Sequence, residues 1–293
     1  MTVHIGIALA LLCAFTTNLA FLYKHRGATR APDVEWAHPL RSGAALFKSK
    51  WFAIGMLVAF GAWVLHVAAL ALAPLSTVQA VICGGLVMLA VLAERVFGFK
   101  VGRRQWLGVG CTALGLALLA ITLPTAGGDA HATYSTAGMI VFETVLLGAG
   151  ILLVLFPKLG APSQHHGVVF GTAAGILFGV SDVAIKALTG SVAESGLVMG
   201  LASPWLITCL AASVIAFFAS ARGLQKGDAV PVITATSAAA NVTAIAGGIS
   251  VFGDPLPGDT LGIVIQMFAF GLVIAAAALT PGPLRAAAPA PAR

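Results

Sequence analysis

The chain has 293 residues, of which 59% are hydrophobic and only 9% are charged, and its formal net charge is +6. Soluble domains carry roughly 25% charged residues, so this composition excludes a soluble domain with a fully hydrated surface. Apolar runs of about 18 residues or more recur along the whole sequence, and such runs are typical of transmembrane helices. We therefore predict an all-α polytopic membrane protein.

Nine segments are predicted to span the membrane. In chain order they are 3–23, 51–72, 75–94, 105–123, 136–156, 167–189, 197–219, 229–251 and 259–280. The first segment has neither a basic n-region nor a small-residue cleavage site, so we interpret it as a retained helix and not as a signal peptide. The four cysteines lie in these spans without CxxC spacing, which indicates neither a metal site nor a disulfide framework.

The distribution of basic residues predicts the orientation of these spans. Every Lys and Arg except Lys186 lies after an odd-numbered span. Positively charged loops remain cytoplasmic, which predicts an outside N-terminus and an inside C-terminus in the cell (inner or plasma) membrane. Because the basic residues are spread over five segments without forming a patch, we expect no nucleic-acid partner.

Three segments of the chain carry further local predictions. Residues 33–47 are expected either to lie along the inner membrane surface through Trp36, Leu40 and Phe47 or to form an irregular loop. The Pro/Ala-rich tail 281–293 is predicted to be disordered and cytoplasmic. Ser203-Pro204, inside the seventh predicted span, is expected to kink that helix.

A short internal repeat relates the two parts of the chain. The third and eighth spans both end near an acidic residue, Glu94 or Asp254, and a Leu-Gly pair opens the following span. The two copies face opposite sides of the membrane, as in the inverted repeats of secondary transporters. This pattern predicts a first half at 1–123, a linker helix with flanking loops at 124–166, and a second half at 167–280.

The residues around this repeat resemble a known superfamily. The stretch from WFAIGMLVAFGAWVLHVAALALAPLSTVQAV through AERVFGFKVGRRQWLGVGCTALGLALLA resembles the EamA-like domains of the drug/metabolite transporter (DMT) superfamily. Within this superfamily the chain most resembles the NIPA-type branch, both in its nine predicted spans and in the stretches IGIALALLCAFTTNLAFLYKHRG and GVVFGTAAGILFGVSDVAIKAL. This resemblance implies a link to magnesium transport. The first span has no acidic residue, so the helix-1 glutamate chemistry of small multidrug exporters is not implied.

Polar side chains recur at similar depth in five predicted spans. Because an intramembrane charge costs at least about 2.5–3.5 kcal/mol, each ionisable residue there is a candidate functional group. The candidates for a substrate or ion pathway are Glu143, Asp182, Lys186, His66, Asn241 and Gln266. For His66, Asn241 and Gln266, an ordinary packing or interhelical hydrogen-bonding role is the more common one for such residues, and it remains open beside the functional interpretation.

The sixth predicted span combines an acid, a base and a glycine stripe. Asp182 and Lys186 are four residues apart, the spacing of neighbours on one helix face. A stripe of glycines at every fourth position, which lets another helix approach closely, is formed by Gly167, Gly171, Gly175 and Gly179. The sequence leaves open whether Asp182 and Lys186 form a structural ion pair or a gate.

Transport is the leading functional interpretation. A DMT-type secondary transporter would move a small metabolite or drug-like solute by alternating access between the halves. The alternative is a NIPA-like Mg²⁺ transporter, in which Glu143 and Asp182 would supply oxygen ligands; a further alternative is a non-transporting structural membrane protein.

The remaining expectations concern chemistry and partners. The sequence contains no HExxH motif and no GxSxG motif with a usable histidine, so we expect neither an enzyme nor a cofactor. The expected partners are the lipid bilayer and a small-molecule or ion substrate. A homodimer is an open alternative.

Overall fold

The computed structural model describes residues 2–73, 75–98, 102–122, 134–159, 162–254 and 257–279. Within these ranges the regular elements are all helices, so the predicted all-α class is confirmed. The α-helices are α1 Thr2–Ala28, α2 Pro39–Phe47, α3 Lys50–Leu72, α4 Leu75–Gly84, α5 Leu86–Arg95, α6 Arg103–Thr122, α7 Thr136–Leu155, α8 His166–Ser195, α9 Leu197–Leu201, α10 Trp205–Lys226, α11 Ala229–Ser250 and α12 Thr260–Leu279. The predicted disordered tail lies outside the described residues.

Six of the described helical stretches are long and apolar enough to cross a membrane. They are His4–Ala28, Lys50–Leu72, Thr136–Leu155, Ser163–Ser195, Trp205–Lys226 and Ala229–Ser250. Two shorter apolar stretches, Trp106–Gly115 and Thr260–Ala269, lie within α6 and α12. The chain is therefore a multi-pass helical membrane protein, and the count of nine spans with their orientation stays a prediction.

Two predicted boundaries in the second part of the chain are wrong. Helix α8 continues to Ser195, beyond the expected end at residue 189. The span predicted at 197–219 is divided into the short α9 and the long α10, which begins only at Trp205. Pro204 stands at the N-cap of α10, so it begins this helix instead of kinking a continuous one. Proline is tolerated there because backbone N–H groups in the first turn of a helix have no intrahelical acceptor, so the N–H that proline lacks is not needed.

The predicted span at 75–94 is interrupted at Gly85, between α4 and α5. The Gly85 carbonyl accepts a 2.8 Å hydrogen bond from Asn18 Nδ2 of α1. A side chain at Gly85 would place its Cβ 2.6 Å from the Cβ of Ala14, so the close approach of α1 requires glycine here. The break therefore fixes α1 against the α4–α5 junction.

Helix α8 packs in the middle of the described bundle, against α7, α10 and α11, and more sparsely against α3. Its four stripe glycines face α11 and the turn that precedes it. A Cβ at any of these glycines would lie less than 3.0 Å from an atom of residues 227–243, so any larger side chain would separate the two helices. Close packing of this kind is the usual role of small residues between membrane helices.

The segment that joins α1 to α2 is fastened to the end of α10. The Asp33 carboxylate pairs with Lys226 at 2.7 Å and with Arg222 at 2.9 Å. The Gln225 side chain accepts a hydrogen bond from the Val34 N–H at 2.9 Å. Residues 39–47 form α2, on which Leu40 is 89% exposed while Leu46 is buried. We name these contacts of Asp33 and Gln225 with their partners the α10 clasp.

Candidate functional site

Asp182, near the middle of α8, has its side-chain partners on other helices. Its Oδ1 lies 3.1 Å from His66 Nε2 of α3, and its Oδ2 accepts a 3.0 Å hydrogen bond from Gln79 Nε2 of α4. The Asp182 side chain is 18% exposed and that of His66 is 10% exposed. The three side chains therefore form a compact polar triad at the junction of α3, α4 and α8.

Gln79 was not among the residues predicted for the site. It lies in LSTVQA, an amphipathic stretch directly after the break that ends α3. Its side chain is 2% exposed, which for an uncharged amide requires a hydrogen-bond partner. A polar residue within a predicted span is a sequence signal that could have indicated Gln79. Its partner, Asp182, is identified only by the position of α4 relative to α8.

The triad lines one cavity of about 190 Å³, whose lining residues come from α1, α3, α4, α8 and α11. Asn241 of α11 also lines this cavity, and its Nδ2 donates a 2.7 Å hydrogen bond to the Ser237 carbonyl. Thr17 of α1 contributes a hydroxyl. Three predicted residues, His66, Asp182 and Asn241, are thus brought together in one place. We name this space the central cavity.

Lys24 lines the same cavity from the C-terminal end of α1. The sequence interpretation placed it in a loop after residue 23, which is wrong because α1 continues to Ala28. Its side chain is buried, and the ammonium lies 3.9 Å from the centre of the Phe21 ring. A lysine stem packs readily along apolar surface and its charge is attracted to an aromatic face. The central cavity therefore contains a cation as well as the Asp182 carboxylate.

Lys186 is bonded to a helix end and forms no ion pair with Asp182 among the described side chains. Its Nζ donates to the carbonyls of Leu70 at 2.9 Å and Ala73 at 3.2 Å, at the end of α3. The last carbonyls of a helix lack intrahelical partners and carry negative partial charge. Of the two alternatives that the sequence leaves open, the local Asp182–Lys186 ion pair is therefore not formed: Lys186 caps α3, while Asp182 bonds to His66 and Gln79.

Glu143 is not among the residues that line the central cavity. It lies on α7 and is only 3% exposed. Neither of its carboxylate oxygens has a hydrogen-bond partner in the described part of the chain. The Thr208 hydroxyl of α10 comes within hydrogen-bonding range of the carboxyl, but no hydrogen bond of good geometry joins them. The arrangement gives no support to one ion site built from both Glu143 and Asp182.

Gln266, the last predicted pathway residue, is also outside the cavity lining. It lies on α12 and is 3% exposed, and its Nε2 has no hydrogen-bond partner among the residues described. Within the same residues, no cluster of three or more His, Cys, Asp or Glu side chains could hold a metal ion. A cation in the central cavity would therefore take ligands from Asp182, from amides and hydroxyls, and from water.

Comparison with known proteins gives one informative similarity. No protein-family model matches the chain, and no solved structure matches it. The chain is 24% identical over 289 residues to the "Probable magnesium transporter NIPA9" of Arabidopsis thaliana. That alignment covers 92% of this chain and 79% of the plant protein, so the similarity extends across most of both sequences.

Proposed function

We propose that this protein is a membrane transporter of the DMT type whose substrate is Mg²⁺. The observation that carries the proposal is the central cavity, which places the Asp182 carboxylate deep among five helices of a membrane protein. The similarity to a probable magnesium transporter over most of both sequences supports Mg²⁺ as the substrate. This substrate replaces the metabolite or drug that ranked first from sequence.

The size of the cavity favours a small substrate. Sites for drug-sized ligands usually measure about 300–1,000 Å³, whereas the central cavity measures about 190 Å³. Mg²⁺ gives up its water reluctantly and is commonly held by one or two carboxylates together with several waters. Asp182 would supply the carboxylate, with the Asn241 amide and the Thr17 hydroxyl nearby as partners for the ion's waters.

Alternating access supplies the transport step. In the proposed architecture, nine spans form two inverted halves around the cavity, with the N-terminus outside and the C-terminus inside. Helices α1, α3 and α4 of the first half and α8 and α11 of the second contribute to the lining. Relative movement of the halves would open the cavity to one side and then to the other.

A small zwitterionic metabolite is the second candidate substrate. The observation that favours it is the presence of Lys24 in the same cavity as Asp182. A fixed ammonium repels a divalent cation but binds the carboxylate of a zwitterion. Asp182 would then hold the ammonium end of the same solute.

Flux into proteoliposomes tests these alternatives. Purified protein would be reconstituted and challenged with Mg²⁺ and, separately, with a set of zwitterionic amino acids. Mg²⁺ uptake above that of empty vesicles is the expected result. Amino-acid uptake without Mg²⁺ uptake would transfer the proposal to the second candidate, and flux of neither would refute transport of both substrate classes.

A further inference from the structure

A second polar group lies on the side of α8 away from the central cavity. Ser181 Oγ is 2.9 Å from Ser213 Oγ and 3.4 Å from Cys209 Sγ, both on α10. Cys209 is close enough to Glu143 of α7 to interact with its charge. We name Glu143, Ser181, Thr208, Cys209 and Ser213 the Glu143 cluster. It lies within the bundle between α7, α8 and α10, and none of its members lines the cavity.

The Glu143 carboxyl has the surroundings of a neutral acid. With 3% exposure and no hydrogen bond to either oxygen among the described residues, an ionised carboxylate would be desolvated without compensation. Desolvation makes that ionised state unfavourable, and protonation removes the penalty. Burial of a lone acid in a membrane bundle is also the usual mark of a functional group.

No described cationic side chain neutralises this carboxyl. On α7 itself Glu143 is the only titratable residue, and α11 has none between Ala229 and Ser250. From α10 the titratable group beside it is the Cys209 thiol. On α8, Asp182 faces the central cavity and Lys186 bonds to the end of α3. Within the described ranges, a bound cation, either a metal ion or a proton, is therefore the remaining source of a compensating charge.

A proton fits this place better than a metal ion. Mg²⁺ and Ca²⁺ require about six or more oxygen ligands. Water in the central cavity can complete the ligand set around Asp182, but Glu143 does not line that cavity, and no group of three or more His, Cys, Asp or Glu side chains in the described ranges could hold a metal there. A proton needs only one carboxylate oxygen, and the hydroxyls of Thr208, Ser181 and Ser213 offer a route by which it can leave.

We infer that Glu143 is a proton-binding site, distinct from the substrate cavity, that couples transport to the proton gradient. When the site opens to water the carboxyl O–H bond breaks, the proton passes to water and the carboxylate keeps the electron pair. Ser181 of the cluster and Asp182 of the cavity are consecutive residues of α8. A movement of α8 during transport therefore acts on both sites together.

The protonation itself can be tested without transport. Infrared spectra of the purified protein, recorded between acid and alkaline pH, would follow the C=O band of protonated carboxyls. The wild type is expected to retain one protonated carboxyl at neutral pH, and Glu143→Gln is expected to lose it. Glu194→Gln, at an exposed end of α8, is the matched control and should retain the band. A wild type with no protonated carboxyl at neutral pH would overturn the inference.

The coupling role rests on the proposed transport function and needs a second measurement. A pH gradient is expected to accelerate Mg²⁺ uptake by wild-type proteoliposomes. The acceleration in Glu143→Gln should be at least ten-fold smaller than in the wild type. Exchange of Mg²⁺ at equal pH should persist in this variant, which shows that it is folded. Acceleration retained in Glu143→Gln would overturn the coupling role. If wild-type protein moves no Mg²⁺ while the infrared band persists, the proposed substrate fails and the proton site stands.

Discussion

Replacing Gly175 by alanine should destabilise the protein, although alanine is the better helix former. A Cβ at Gly175 would lie 2.7 Å from the Ala239 Cβ and 3.0 Å from the Ala240 nitrogen, whereas ordinary contact begins at 3.4 Å. It would come closer still to the Thr236 carbonyl oxygen. Backbone and Cβ atoms cannot rotate away, so α8 and α11 must separate by several tenths of an ångström.

The magnitude follows from two opposing effects of the Gly175→Ala substitution. Overpacking a close-packed interior costs about 1–3 kcal/mol, and replacing a mid-helix glycine by alanine returns about 0.5–1 kcal/mol. We expect a net loss of about 1–2 kcal/mol. Unfolding of the purified protein in mixed micelles by increasing amounts of SDS would measure this change in the free energy of unfolding.

Gly148→Ala is the matched control, because a Cβ at Gly148 would meet nothing within 4 Å. This variant should lose no stability and should gain up to about 1 kcal/mol from helix propensity. Equal stability of the two variants would refute the close approach of α8 and α11 on which the cavity geometry depends.

Two further predictions concern the ends of the bundle. In Lys186→Met, the carbonyls of Leu70 and Ala73 lose the ammonium and are left unsatisfied, which costs about 1–3 kcal/mol. Amide hydrogen exchange at residues 70–75, measured by mass spectrometry, should therefore accelerate about ten-fold. Unchanged exchange in this variant would contradict the capping role. At Asp33, hydrogen bonds from Lys226 and Arg222 hold the carboxyl pKa below its ordinary value, while partial burial opposes them. The α10 clasp should therefore be stabilised above pH about 4 and released as pH falls through the lowered pKa. Because Asp33 is half exposed and screened, the effect is at most about 1 kcal/mol. Limited proteolysis of residues 29–38 should accelerate at low pH in the wild type, and Asp33→Asn should be cleaved rapidly at neutral pH; protection of that variant at neutral pH would contradict the role of the clasp.

Hydropathy was sufficient to predict the membrane class and most helix positions. Hydropathy failed at the start of α10, because LVMGLASPW is apolar on both sides of the break. An average over apolar residues cannot show that a new helix begins at Pro204. The extension of α1 to Ala28 was missed for the opposite reason. Lys24 looked like the first loop residue, whereas its aliphatic stem is buried along the helix.

Depth along the predicted spans brought His66, Asp182 and Asn241 together correctly, because residues at equal depth on facing helices can meet. It could not identify their partners. The spacing of Asp182 and Lys186 favoured a local pair, but each found a partner on α3 or α4 instead. Which helix lies opposite is set by packing across the bundle, and that packing also separates Glu143 from the cavity.

The most direct test of the central claim compares Mg²⁺ uptake by wild type and Asp182→Asn in proteoliposomes. Asparagine keeps the size and one oxygen of the side chain but removes the charge that faces the cavity. Glu194→Gln removes a carboxylate from the exposed end of the same helix and serves as the control. We predict that Mg²⁺ uptake by Asp182→Asn is at least ten-fold slower than that of the wild type, while uptake by Glu194→Gln equals that of the wild type. Wild-type uptake by a folded Asp182→Asn variant would contradict the assignment of the central cavity as the transport site.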